Sequence, residues 1–579
     1  MRRRYRLLAS LGWLLGSTFA VFALLEAAPG GPASAYVQSP SDSAAEIARL
    51  RSELGPGRPI VVQYFAWVFH VLRGDLGWSP NNSEPVSQAI FERLPATIEL
   101  AFAALVTAIV LGAIVGFARA RARVPVLRNL LAGMQLLGRA VPIILVAASF
   151  ELLVVFSALL PGFGIASVDR FDLGDRLRHL IAPVLCLTVP FGAWASMIFY
   201  DFFRETDDSS RPAHGIVRPI AMSVALVGPA LLSACLLIEP MFAWPGVARV
   251  FHAGLSSFDP GVAAGCLLLY SAALVLLNLV AEVAPGTQER ASPRQPGMLP
   301  TTASGRKRSK GTVVVAIVVL VGAAFGALAA GVPVSTGPDY IDQAHWVGYP
   351  LAPGVAGHAL GTDENGRDLL SRLLFGLRTS LGIAALAALI ASAIAFAVAN
   401  TTKAVGRIDD RAALSVVGIR AFGGLPFALA VVTVLVVRSH AGTNVLSPVV
   451  IALIIAAVSW PAVVPAFRTR TSATLGATID LMACALLLEV TLSAIGFGVQ
   501  PPTASLGNML VNMLSNITVG PWIPIVPTIV VVAVLFAMYA LGDELRERDQ
   551  RARRASTAAA TVPHANTIAA NTGTAESPR

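Results

Sequence analysis

The chain has 579 residues, of which 55% are hydrophobic and only 13% charged, and its mean hydropathy is +0.69. Soluble domains keep roughly a quarter of their residues charged, so this composition excludes a soluble protein and indicates an all-α polytopic membrane protein. The net charge of +9, from 43 Lys and Arg against 34 Asp and Glu, is set by arginines clustered beside apolar segments, a pattern that orients membrane spans rather than gripping nucleic acid.

In chain order, Met1 to Arg6 is basic and precedes an apolar run from Leu7 to Ala27. A cleaved signal peptide is one reading, but the run exceeds the roughly 7–15 residues of a signal core and nears the ~20 needed to span, which favours a retained helix. A polar interval from Pro29 to Pro95 follows and reads as a small outer segment with a turn at Arg73-Gly74-Asp75. Apolar segments at Thr97–Ala118, Val141–Leu160, Leu180–Phe199, Ile220–Ile238 and Val262–Val283 bring this half to six spans. Basic stretches at Arg119–Arg128, Arg204–Arg218 and Arg290–Lys310 alternate with them as inner loops should, and only Arg170, Arg176 and Arg178, accompanied by aspartates, fall on the expected outer side.

Ala284 to Gly311 is rich in Pro, Gly, Ser, Thr and basic residues and reads as a flexible cytosolic linker. Beyond it, Val313–Val332, Leu381–Ala399, Ala412–Val437, Val449–Phe467, Thr474–Ile495 and Trp522–Leu541 are again six spans. The expected domains are therefore 1–283, the linker 284–311, a second half at 312–545, and a disordered tail at 546–579. Leu236-Leu237-Ile238-Glu239 is echoed by Leu486-Leu487-Leu488-Glu489 at the corresponding span, and Pro142 by Pro426. Two halves that both start and end inside would be parallel repeats.

Between the seventh and eighth spans, Leu360 to Leu381 reads as a polar turn and an interfacial amphipathic helix. Gly361 and Gly366 punctuate the loop and Asp363 can cap it. From Asp368 onward, Leu369, Leu370, Leu373, Leu374 and Leu377 recur at helical spacing opposite Arg367, Arg372 and Arg378. The wording of that stretch, LGTDENGRDLLSRLLFGLRTSL, resembles the second permease subunit of dipeptide, oligopeptide and nickel ABC importers, as does LSAIGFGVQPPTASLGNML (Leu492 to Leu510). The first half resembles the first subunit of the same importers through RGDLGWS with Gly74 and Asp75, PVSQAIFERLPATIELA from Pro85, and PMFAWPGVARVF from Pro240. The resemblance implies two fused permease subunits in a bacterial inner membrane with both termini cytosolic. It also implies cytosolic ATPase subunits and an external substrate-binding protein as partners.

The chain contains no Gly-x-x-x-x-Gly-Lys-[Ser/Thr] loop, no His pair at metal-ligand spacing and no Gly-x-Ser-x-Gly elbow. Enzyme activity and a resident cofactor are therefore not expected, and by the resemblance ATP would be bound by the separate subunits. Permeases of this family dock on their ATPases through a cytosolic loop, and the pattern here is incomplete. The first-half loop, Tyr200 to Pro219 with Arg204 and Gly215, keeps only the ending Ile216-Val217-Arg218-Pro219. In the second half, about Arg468 to Ala473 is left as a tight turn between two full spans. Weakened or asymmetric coupling to the ATPases is the resulting expectation. Glu151 and Asp480 fall at membrane depth, where they either line the passage or bond between helices. A degenerate relative serving as a membrane scaffold and an ion-driven secondary carrier are the competing functions.

Overall fold

The computed structural model describes residues 59–76, 78–79, 84–157, 161, 163–167, 172–208, 215–257, 259–283, 310–330, 337–343, 348–404, 447–460, 464, 467 and 471–561, with scattered positions between 15 and 23. Helix α1 (Ile60–Leu72) is followed by two two-residue strands, β1 (Trp78–Ser79) and β2 (Glu84–Pro85), paired antiparallel, and by α2 (Val86–Phe91). The first-half bundle is α3 (Leu94–Arg121), α4 (Pro125–Ala140), α5 (Ile143–Ser157), α6 (Leu173–Asp208), α7 (Val217–Met241), α8 (Val247–Ser256) and α9 (Pro260–Val283). The second contains α10 (Lys310–Leu328), α11 (Leu369–Ala404), α12 (Pro448–Ser459), α13 (Thr471–Ala494), α14 (Met513–Val519) and α15 (Trp522–Thr561).

Among the described residues seven helical segments are long and apolar enough to cross a membrane: α2 with α3, then α6, α7, α10, α11, α13 and α15. The pair α4 and α5, bent by 97°, makes an eighth candidate. The bend falls at Val141-Pro142, where proline has no N–H to continue the ladder. The protein is an all-α polytopic membrane protein. Of the twelve expected spans, Ala412–Val437 and most of Leu7–Ala27 lie outside the described residues, as do linker positions 284–309 and tail positions 562–579.

Several boundaries depart from expectation. Leu369 to Ala404 is one continuous helix, so the supposed interfacial helix is the first turns of a span. Its Arg372 is buried against Asp363, which removes the reason for that stretch to lie flat on a surface. Position 546 onward is helical as far as Thr561 rather than disordered. Good helix formers fill it, and Arg548 Nε donates to Glu544 one turn back at 3.0 Å. Of the expected span Val449–Phe467, α12 covers Pro448 to Ser459, and most positions from 461 to 467 lie outside the described residues.

Packing in the first half is closest between α3 and α6. A Cβ at Gly116 would lie 2.7 Å from Ser196 O, and one at Gly112 would lie 2.5 Å from Ala195 Cβ. The Gly-x-x-x-Gly spacing is what lets the two backbones meet. One apolar core joins α3, α5, α6 and α7, and a second joins α11, α12, α13 and α15. Leu136, Ala140, Ile144 and Leu145 of α4 and α5 enter that second core. The halves also meet through α8, where His252 stacks edge-on against Phe497 with ring centroids 5.3 Å apart.

Candidate functional site

The end of the bundle that carries β1, β2 and α8 is called outer here, after the sequence-based orientation. Gly74, at φ +85°, ends α1, and Asp75 stays exposed beside His70 at 3.5 Å. Ser79 Oγ donates to Asp259 Oδ2 at 2.7 Å, while Asp259 Oδ1 accepts from Val262 N and so caps α9. In the second half Gly361 and Gly366 both have positive φ, which suits glycine. Between them Asp363 Oδ1 accepts from Asn365 N and Arg367 N, and Oδ2 from Arg367 Nε at 2.8 Å. Arg372 Nε approaches that same Oδ2 at 3.3 Å. Asp368 caps α11 through Ser371 N at 2.7 Å, and its other oxygen lies 2.6 Å from His358 Nδ1. Asp363, Arg367, Arg372, Gln500, Asn508 and Asn512 line a cavity of about 320 Å³ at this end.

Below these loops a buried carboxyl lies near the end of α7 and another near the end of α13. Glu239, in the last turn of α7 and fully buried, accepts from Thr97 Oγ1 of α3 at 2.7 Å and from Ala248 N at 2.7 Å. Thr97 Oγ1 in turn accepts from Val247 N at 2.8 Å. In the second half Glu489 near the end of α13 is also fully buried and accepts from Ser493 Oγ at 2.8 Å, and Ser380 Oγ of α11 accepts from Leu506 N at 3.0 Å. In the first half a carboxyl closing α7 and a hydroxyl in the first turn of α3 thus pin the backbone N–H groups of Ala248 and Val247, whereas in the second the carboxyl holds the Ser493 hydroxyl and a hydroxyl within α11 holds Leu506 N. Gly246 fits beneath Glu239 because any Cβ there would collide with the carboxyl group.

At the opposite, inner end, Arg139 of α4 reaches across to the second half, with Nη1 3.3 Å from Asp543 Oδ2 of α15. Arg546 Nη2 donates to the other Asp543 oxygen at 2.7 Å and pairs also with Asp480 of α13. The side chains of Arg139 and Asp543 are 0% and 1% exposed, and the four charges cancel. The Arg139 guanidinium also lies 4.8 Å from the Tyr539 ring centroid, and the Tyr539 hydroxyl is 3.8 Å from Cys484 Sγ. Beside this cluster Arg119 stacks over Tyr200 and bonds Gln135, whose Nε2 donates to Ser196 Oγ at 2.8 Å.

The remaining expected site residues fall around this end. Tyr200 and Arg204 belong to α6, which stays helical through Asp208, and Pro219 lies in the first turn of α7, where proline is tolerated. The expected loop Tyr200–Pro219 therefore shortens to positions 209–216, with Gly215 at φ +47° and Ile216 exposed. α12 ends at Ser459 and α13 begins at Thr471, and most of the positions between them, including Arg468 to Arg470 of the expected tight turn, lie outside the described residues. Asp480 is paired between helices. Glu151, 3% exposed, lies on the α5 face whose Ala147 and Val154 pack into the first-half core.

No family model matches the chain. Over 304 residues it is 31% identical to a putative peptide permease protein of Brucella suis, an alignment taking in 48% of this chain and 95% of that protein. The chain belongs to the peptide permease family of ABC transporters. The permease is also 28% identical to the glutathione transport system permease protein GsiC of Salmonella typhi, over 48% of its own length and 94% of that protein. To the dipeptide transport system permease protein DppB of Escherichia coli it is 26% identical, over 47% and 92%. Each relative is thus matched almost end to end by about half of this permease. As a permease it is a transporter component and not an enzyme.

Sequence reading picked out Glu239, Glu489, Asp363 and Asp368 but missed the hydroxyls of Thr97 and Ser380 and the partners Arg139, Asp543 and Arg546. The signal was available for the last three. A carboxylate such as Asp480 inside an apolar helix calls for a cation at similar depth, and Arg546 stands at the end of another span.

Proposed function

We propose that this single chain supplies both pore-forming halves of an ABC importer for peptides or a related small solute, residues 1–283 forming one half and 312–545 the other, joined by the linker 284–311. The observation that carries this reading is the repeated outer latch: Glu239, Thr97 and Val247 in one half, Glu489, Ser380 and Leu506 in the other. Relatives half as long as this chain support it. In this reading the protein sits in a bacterial inner membrane with both termini and the linker cytosolic. Cytosolic ATPase subunits dock beneath it, and a substrate-binding protein delivers solute to the outer loops around Asp75, Asp363 and Arg367. Coupling is unequal, because only the first connector keeps the Ile216-Val217-Arg218-Pro219 ending.

The test is uptake of a labelled dipeptide by cells that lack their own peptide permeases and express this chain with paired ATPases and a binding protein. ATP-dependent uptake is expected from the intact chain, and from the two halves expressed separately after a cut within 284–309. Replacing 205–215 with a Gly-Ser loop should abolish ATPase co-purification, whereas replacing 461–470 should reduce it less. Stable expression with neither uptake nor ATPase capture would refute the importer and favour a scaffold. Uptake driven by a proton gradient without ATPases would favour a secondary carrier. Reporter fusions after Ser304 and Arg554 should both report cytosol.

A further inference from the structure

We propose that the Arg139–Asp543 pair holds the inner end of the transport path shut and breaks when that end opens. The proposal rests on the reading of the chain as two halves enclosing a path. A carrier of that kind must separate its halves at the inner end during each cycle, and α4 of the first half packs there against α15 of the second. Arg139 lies in the last turn of α4, immediately before the 97° bend into α5. A rotation of α4 about Val141-Pro142, which also draws Leu136 and Ala140 from the core they share with α15, would move the Arg139 guanidinium away from Asp543.

The chemistry suits a contact that must break and reform. Burying two charges sacrifices hydration that their attraction only partly repays. Opening to water returns that hydration, so separating a buried pair is less costly than peeling apart an apolar contact of equal size. Within the closed state the pair is well specified. Asp543 is aligned by Arg546, which is itself fixed by Asp480 on α13, and the Arg139 guanidinium lies against the Tyr539 ring. The arrangement is also unequal. Without Arg139, Asp543 keeps Arg546. Without Asp543, Arg139 keeps, among the described residues, the ring and the Met197 sulfur, 4.0 Å away.

Cys484, beside Tyr539, is a native reporter of opening at this end, and Cys266, fully buried in the outer core with Val86 and Ile90, is a native control for unfolding. Inside-out vesicles carrying the full chain with Cys186→Ala and Cys235→Ala would be treated with a membrane-impermeant maleimide. Arg139→Met should raise the Cys484 labelling rate about tenfold, and Asp543→Asn should raise it further, because it strands a buried cation. Arg139→Lys should stay near the parent, and Cys266 should remain unlabelled throughout. Unchanged Cys484 labelling, or equal labelling of Cys266 and Cys484, overturns the proposal and leaves the pair a structural tie. Dipeptide uptake by the parent is measured alongside. Its absence counts against the transport reading, while the labelling still decides the gate.

Discussion

Gly246→Ala isolates the steric logic of the outer latch. Gly246 has φ −99° and ψ −179°, extended backbone open to any residue, so alanine brings no backbone strain and only its Cβ matters. That Cβ would overlap the Glu239 carboxyl group. Glu239 cannot swing aside without abandoning Thr97 Oγ1 and Ala248 N, each held at 2.7 Å. Each buried group left without a partner costs about 1–3 kcal/mol, so displacing the carboxyl costs about 2 kcal/mol or more. If the loop yields instead, overpacking costs about 1–3 kcal/mol. The assay is the apparent melting temperature of the purified protein, followed by size-exclusion chromatography after heating. Gly322→Ala on α10, where a Cβ meets nothing within 4 Å, serves as a control and should be neutral or slightly stabilising. Gly246→Ala should lower the melting temperature clearly, and in a Glu239→Ala background it should lower it no further, because the colliding atoms are gone. A Gly246→Ala effect no larger than that of Gly322→Ala, or equal effects in both backgrounds, would refute the reasoning.

Thr97→Val keeps the shape but removes the hydroxyl that serves Glu239 and Val247 N. It should destabilise by about 2 kcal/mol, with Ser380→Ala giving a loss of similar size if the latches are equivalent; a loss in one half alone, read from melting temperatures, would show that they are not. Asp363→Asn leaves Arg372, 3% exposed, without its closest counter-charge and should cost about 3–5 kcal/mol, visible as a lowered melting temperature and yield. Burial holds the His252 imidazole below its usual pKa, so between the folded and unfolded values the unfolded chain binds more protons. Stability should then fall as pH drops below about 6.5 and level off below the folded value; His252→Phe should flatten that part of the melting-temperature profile.

Membrane class was legible in the hydropathy, because a helix that crosses hydrocarbon must be apolar along its length whatever it packs against. The positions of α3, α7 and α13 follow the same signal. It gave no warning that α11 would absorb the stretch from Leu369, because amphipathic spacing describes equally an interfacial helix and the first turns of a span whose arginines find carboxylates in a neighbouring loop. Asp363 and Asp368 were legible as caps from local spacing alone. Asp480 was legible as an anomaly, but its partner lies 66 positions away and depends on how α13 and α15 cross. The hydroxyls were hidden for the opposite reason, since a threonine or serine in an apolar helix is too common to attract notice.

The forty residues of α15, at about 1.5 Å each, make a rod roughly 60 Å long, twice the ~30 Å hydrocarbon thickness. A membrane span needs only the part to about Arg548, and the remainder stands some 20 Å clear of the bilayer as a rigid post. In the proposed assembly an ATPase subunit at this end would be received beside the post, and a tilt of α15 inside the membrane would be magnified at Thr561.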